Sequence, residues 1–251
     1  MPHELAYQAA SNRRVALVTG ASRGIGAAIA RQLLDRDCLV AGGYRTGHAA
    51  VAGLSDEYPD RVLPVAMDLA DDTSAVLAVE QVLSAWSGLD SLVLNAGIWQ
   101  GGQLVDMDSA DWWRVVEVNV RGTTALARAA LPALMCGREP SILLVSSVVG
   151  LVGYAGDTSY ASAKAAVIGF ARSLAKEVGR AGIRVNVLAP GFVDTEMTAK
   201  VPARSRAAIV KDTVLRRFGT VEEIAKAAVF LSEDATYCTG TVLTADGGWS
   251  T

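Results

Sequence analysis

The chain predicts a doubly wound α/β fold, a seven-stranded parallel sheet with helices on both faces. Two observations carry this expectation. Short β-branched runs alternate with longer alanine-rich stretches from start to finish, the pattern of repeated βα units. The 251 residues are 51% hydrophobic but only 6% aromatic. Ala, Val and Leu must therefore build the interior, which suits buried parallel strands under closely packed helices.

Val15-Ala16-Leu17-Val18-Thr19 reads as the first strand and Gly24 to Arg36 as the helix after it. Leu39 to Tyr44 is the second strand, Val62 to Met67 the third and Ser91 to Leu94 the fourth. A long helical stretch from Ser109 to Met135 precedes the fifth strand, Ile142 to Val145. An alanine-rich helix starting near Tyr160 leads to the sixth, Ile183 to Leu188. A helix over Val221 to Leu231 and a last strand at Val242 to Ala245 complete the series. No linker, repeat or low-complexity segment divides it, so residues 1–251 are expected to form one domain. Met1 to Arg14 lacks an apolar core, and residues 1–12 read as a short tail rather than a signal peptide.

Charge and composition exclude several classes. The net charge is −3 with no Lys/Arg block, which argues against nucleic acid as a partner. The longest uncharged stretch, Pro140 to Gly156, falls short of the ~20 apolar residues of a membrane span, so no membrane role is expected. Cys38, Cys136 and Cys238 are scattered, and with only His3 and His48 beside them no metal site is expected. They read as buried, reduced thiols of a cytoplasmic protein.

In such sheets ligands lie at the carboxyl ends of the strands, near the point where strand order reverses. After the first strand comes Thr19-Gly20-Ala21-Ser22-Arg23-Gly24-Ile25-Gly26. These glycines let the backbone turn sharply toward a diphosphate, while the following helix presents free N–H groups and its positive end. The spacing is G-x-x-x-G-x-G rather than the commoner G-x-G-x-x-G. In mid-chain, Tyr160 and Lys164 stand one helical turn apart on one face. An ammonium beside a phenol favours the phenolate, so the Tyr160 pKa is expected to fall from ~10, giving a proton donor usable near neutral pH. Taken alone, the same spacing fits a half-buried tyrosine beside a solvated lysine.

Thr-Gly-x-x-x-Gly-x-Gly followed by Tyr-x-x-x-Lys resembles the short-chain dehydrogenase/reductase family, a Rossmann-type fold. The likeness runs from about Arg13 to Trp249. Asn95-Ala96-Gly97 is similar to the family's Asn-Asn-Ala-Gly with Leu94 in place of the first Asn, and Asn119 matches its helix asparagine. Ser147, thirteen residues before Tyr160, falls where its serine lies, and Pro190-Gly191 and Asp246-Gly247-Gly248 also fit. The resemblance implies that Tyr160 is the general acid, that Ser147 orients the substrate carbonyl, and that Lys164 holds the nicotinamide ribose. Asn119 would hold a water joining Lys164 to solvent. It also implies that Asp68-Leu69 contacts adenine and that Val193 and Thr195 contact the nicotinamide amide.

Cofactor choice follows from charge. Binding NAD usually takes an acid about twenty residues past the glycines, but the second strand ends Gly42-Gly43-Tyr44-Arg45-Thr46. Arg45 and Arg23 either bracket a 2′-phosphate or are solvated surface arginines, and the expected cofactor is NADP(H). Within the family, Pro190 to Thr198 and Tyr237-Cys238-Thr239-Gly240 are most similar to 3-oxoacyl-[acyl-carrier-protein] reductases. A 3-oxoacyl thioester, free or carrier-bound, is thus the expected substrate, with another alcohol/ketone pair (small ketone, sugar, steroid or polyketide) as the alternative. Ile98-Trp99-Gln100-Gly101-Gly102 departs from those reductases, and Trp99 either lines the substrate pocket or packs on the sheet edge. Residues ~193–213 would form a substrate lid, and Arg138 and Arg180 are candidates to dock an acidic carrier. The Tyr160 helix is apolar nearly all round, so it is expected to be buried on more than one side; the resemblance implies a homotetramer.

Overall fold

The computed structural model describes residues 13–251; the tail expected at 1–12 lies outside them. Seven parallel strands form one sheet in the order β3-β2-β1-β4-β5-β6-β7. The chain runs β1 (Val15–Thr19), α1 (Gly24–Asp35), β2 (Leu39–Tyr44), α2 (His48–Glu57), β3 (Val62–Ala66), α3 (Asp72–Trp86) and β4 (Ser91–Leu94). It continues through α4 (Ser109–Val116), α5 (Gly122–Leu134), β5 (Ser141–Val145), α6 (Val149–Val152), α7 (Thr158–Val178) and β6 (Arg184–Pro190). Helices α8 (Ala203–Asp212) and α9 (Val221–Val229) then precede β7 (Val242–Ala245).

Each central strand is apolar on both faces because helices cover both. On one face α3, α5 and α7 bury Val79, Leu126, Leu134 and Leu174 against Leu17, Leu92 and Leu144. On the other, α1, α2 and α9 bury Ile29, Leu33, Leu54 and Ala225 against Val18, Val40 and Val93. Close packing at β2 requires glycine: a Cβ on Gly42 would lie 2.6 Å from Val51, and one on Gly43 2.4 Å from the Met67 sulfur. Pro64 cannot donate to a ladder, and it is tolerated because β3 is an edge strand.

Several elements differ from the sequence expectation. The helix expected over Ser109 to Met135 is divided by a π-turn at Glu117–Arg121. Strand β6 runs two residues further, to Pro190, pairing there with Ala245. Helix α7 packs one side on the sheet, and its outward face, the side expected to meet a neighbouring subunit, is exposed within the single chain at Ser162, Ala165, Ala166, Gly169 and Ser173. Cys38 is buried but Cys136 is exposed and Cys238 half-buried, which corrects the expectation of three buried thiols. Among the described residues no helix is long and apolar enough to cross a membrane, and no cluster of His, Cys, Asp or Glu could hold a metal ion.

Candidate active site

The strand order reverses between β1 and β4, and the two strand ends are tied together there. Thr19 Oγ1 accepts the backbone N–H groups of Asn95 and Ala96, both at 2.9 Å, and Asn95 Nδ2 donates to the Thr19 carbonyl at 2.9 Å. The glycine turn begins on this anchor. Gly20 and Gly24 have φ of +68° and +55°, a conformation that strains any side chain. A Cβ on Gly26 would lie 2.2 Å from the Gly20 carbonyl oxygen, so only glycine lets α1 start so close to β1. Arg23 precedes α1 in an extended conformation and offers no side-chain cap. The first N–H groups of that helix are therefore available to an anion.

A cavity of about 830 Å³ opens at these strand ends, a size within the usual range for cofactor and ligand sites. Of the site residues anticipated from the sequence, all but Gly26 and Asn119 line it. Gly26 lies under the turn, and Asn119 behind Gly97. Arg45 lines the cavity beyond β2 with no side-chain partner among the described residues. Arg23 reaches across the mouth to Glu196 at 3.4 Å. Asp68 accepts the Ala70 N–H at 3.0 Å, which shapes the turn after β3. Thr195 lies against Gly24, where a Cβ would stand 3.7 Å from its methyl. Arg138 and Arg180 are not at the mouth. They precede β5 and β6, at the opposite end of the sheet, and Arg138 is engaged with Asp90 and with the Arg13 carbonyl.

Tyr160 and Lys164 stand in the first turns of α7. Lys164 is 5% exposed, and its Nζ donates to the Val145 carbonyl at 2.9 Å and lies 5.5 Å from the Tyr160 ring centroid. Ser146 Oγ donates to the Lys164 carbonyl at 2.8 Å, locking helix to strand. Burial pushes the Lys164 ammonium down to about 8. It pushes the Tyr160 phenol above its usual value, with the negative charge of Asp157 adding to the rise and the Ser147 hydroxyl, its hydrogen-bond partner, opposing it. This corrects the expected fall of the Tyr160 pKa. The ammonium is committed to Val145, and desolvation of the phenolate outweighs it. The phenol is consequently protonated at neutral pH, as a proton donor must be.

Asn119 occupies the π-turn. Its Nδ2 donates to the Val115 and Ile98 carbonyls, both at 2.8 Å. The Val115 carbonyl is the one an α-helix would offer to the Asn119 backbone N–H, so the side chain displaces a normal helical bond. Asn119 Oδ1 is buried without a hydrogen-bond partner. A Cβ on Gly97 would lie 2.3 Å from that oxygen and 3.5 Å from Lys164 Nζ, so glycine keeps open the space between the two. An orphaned acceptor facing an ammonium across such a gap fits a proton path, and the glycine turn fits a diphosphate.

Sequence reasoning missed the wall beyond Tyr160. Tyr154 and Phe192 line it, their rings 5.8 Å apart, with Trp249 packed behind both at 6.0 and 5.3 Å. These rings come from three segments far apart in sequence, so no local pattern announces them. Trp99 lines the cavity and donates its indole N–H to Asp157 at 2.9 Å, which resolves the two readings of that residue.

A doubly wound sheet with a diphosphate-type turn, and with a serine, a tyrosine and a lysine around one cavity, defines a dinucleotide-dependent oxidoreductase of the Rossmann type. The family model described as enoyl-(acyl carrier protein) reductase matches residues 20–250, and the chain belongs to the short-chain dehydrogenase/reductase family, oxidoreductases acting on CH–OH/C=O groups. It is 39% identical to the 3-oxoacyl-[acyl-carrier-protein] reductase FabG of Haemophilus influenzae, over 94% of this chain and 97% of that protein. The FabG of Escherichia coli K12 is likewise 39% identical, over 94% of this chain and 96% of the relative. Among solved structures, a blue fluorescent protein from a metagenomic library in complex with NADPH superposes with a TM-score of 0.89. It is 35% identical and the match covers 95% of this chain and 98% of that one.

Proposed function

We propose that the protein is an NADPH-dependent ketoreductase that reduces a 3-oxoacyl thioester to the 3-hydroxyacyl thioester. The observation that carries this reading is the grouping of Ser147, Tyr160 and Lys164 at one end of a dinucleotide-sized cavity. Full-length likeness to 3-oxoacyl-[acyl-carrier-protein] reductases and to an NADPH-bound structure supports the substrate and cofactor.

In this reading the bound NADPH supplies the hydride. The glycine turn from Gly20 to Gly26 holds the diphosphate, Asp68 and Leu69 face the adenine, and Asn95, Ala96 and Gly97 back the ribose. Arg45, with Thr46 and Arg23, receives the 2′-phosphate; Pro190, Gly191, Val193 and Thr195 flank the nicotinamide. Ser147 hydrogen-bonds the substrate carbonyl oxygen, and Tyr160 donates its proton to that oxygen. Lys164 holds the ribose hydroxyls and returns a proton to Tyr160, drawing on solvent through the gap beside Asn119. Residues 193–213, which include α8, serve as the lid. On that lid Lys200 and Arg204 are exposed and suit an acidic carrier better than Arg138 and Arg180. Three unpaired thiols suit a reducing compartment such as the cytoplasm.

The test is NADPH oxidation with an acetoacetyl thioester and with a panel of simple ketones. The thioester should be reduced with the higher kcat/KM, and Tyr160→Phe should lower kcat by roughly 10²–10⁴, the usual worth of a general acid, with NADPH affinity nearly intact. A Tyr160→Phe enzyme keeping more than about a tenth of the rate contradicts the assignment. Equal affinity for NADH and NADPH contradicts the role of Arg45.

A further inference from the structure

Three residues before Tyr160, Asp157 lines the cavity and is 8% exposed. Its Oδ1 accepts the Trp99 indole N–H at 2.9 Å, and the carboxylate has no other side-chain hydrogen bond and no ion pair among the described residues. Burial pushes its carboxyl pKa up. Its other oxygen is open to the cavity rather than sealed off, so a substrate that covers it and displaces solvent must donate to it in turn. The surrounding loop is fitted to this pair. A Cβ on Gly101 would lie 2.7 Å from the Trp99 ring and 3.0 Å from Asp157 Oδ1, so glycine alone permits the approach. The Gly102 N–H donates to the Gly156 carbonyl at 2.8 Å, and Trp112 Nε1 to Thr158 Oγ1 at 3.1 Å. The first bond pins the loop, and the second pins α4, to the start of α7. Asp157 acts on Tyr160 only through its charge, which raises the phenol pKa, and none of the hydrogen bonds or cofactor contacts described above use its carboxylate.

We propose that Asp157, held by the Trp99 indole, is a specificity-determining residue whose free carboxylate oxygen receives a neutral hydrogen-bond donor, an N–H or O–H, on the arm of the substrate beyond the reacting carbonyl. This rests on the ketoreductase reading and deepens it. A carbonyl compound with an amide or hydroxyl group on its thioester or ester arm satisfies the carboxylate. One with an alkyl arm leaves it unmet, and one with an anionic group there is repelled. Trp99 gives the arm a flat apolar side to lie on.

Two matched pairs of 3-oxobutanoate derivatives test this. The N-acetylcysteamine thioester is compared with the S-butyl thioester for an N–H donor, and the 2-hydroxyethyl ester with the propyl ester for an O–H donor. The wild type should favour the donor-bearing member of at least one pair by about tenfold in kcat/KM, as one hydrogen bond to a charged group provides. Asp157→Leu should reduce that preference to less than about threefold, and the isosteric Asp157→Asn, which keeps an oxygen for Trp99, should give an intermediate ratio. Circular dichroism and NADPH titration establish that both variants are folded. A wild type that reduces neither thioester overturns the ketoreductase reading and this proposal with it. A wild type that reduces both members of each pair with equal kcat/KM, or a preference that survives in Asp157→Leu, overturns the role of Asp157 alone.

Discussion

Lys164 shows how a functional residue is maintained against its own energetics. Its ammonium is buried, and the drop of its pKa from 10.5 to about 8 corresponds to about 3 kcal/mol disfavouring the charged form, at ~1.4 kcal/mol per unit. The unfolded chain holds this proton up to its unperturbed value, whereas the folded chain releases it near 8. Between those two pH values the unfolded state binds more protons, so stability climbs with rising pH and the cost of the charge is fully felt below about 8. Replacing the ammonium with a neutral group of similar length should relieve that cost at the expense of function. We expect Lys164→Met to melt higher than the wild type at pH 7, by about 6–12 °C at full recovery of that cost, at roughly 2–4 °C per kcal/mol for a chain of this size. The gain should vanish near pH 10.5, and turnover should collapse at every pH. Scanning calorimetry across that pH range checks it, and a lower melting temperature at pH 7 would show that the bond to the Val145 carbonyl outweighs the buried charge.

Between α4 and α5 the helix widens by one residue, and Asn119 is the cause. Two 2.8 Å bonds from its Nδ2 hold the π-turn and the loop after β4 in place. Asn119→Ala removes both, leaving the Ile98 carbonyl without that donor, and should cost about 1–3 kcal/mol. A melting temperature within about 1 °C of the wild type would show that the helix closes normally without the side chain. Nothing in Val118-Asn119-Val120 distinguishes a π-turn from an ordinary helix, so the sequence reads straight through it. The glycine turn and the Tyr160–Lys164 pair are legible for the opposite reason. Their geometry is local, set by spacings of a few residues between one strand end and one helix start. The parallel sheet is legible too, because strands buried on both faces must be apolar throughout. What stays hidden is assembled at long range: the Tyr154–Phe192–Trp249 wall, and the Trp99–Asp157 bond between a loop and α7. The expected fall of the Tyr160 pKa fails on the same ground. Spacing gives the proximity of the ammonium but not the depth of burial around both groups.

At the scale of the whole molecule, two uncovered surfaces bear on assembly. One is the outward face of α7, where Ser162, Ala165, Ala166, Gly169 and Ser173 are exposed and α4 beside it exposes Trp113 at 57%. Small residues let a second helix approach closely, and a large exposed aromatic next to them marks a surface built for burial. The other surface lies beyond α9, where Phe230 is half-exposed and Tyr237 fully so. Two distinct self-complementary patches on one chain generate a closed tetramer of dihedral symmetry, whereas one patch stops at a dimer. The homotetramer implied by family resemblance would require both surfaces to be self-complementary, and each can be tested by itself. Light scattering should give a mass near four times the 26.2 kDa of the chain. Ala166→Arg places a long cation in the middle of the α7 face and should halve that mass while leaving the circular dichroism spectrum unchanged, since Ala166 points away from the core. A wild type that stays monomeric at micromolar concentration, or an Ala166→Arg variant that remains four times the chain mass, would remove α7 from the interface and leave its small outward residues without a role in assembly.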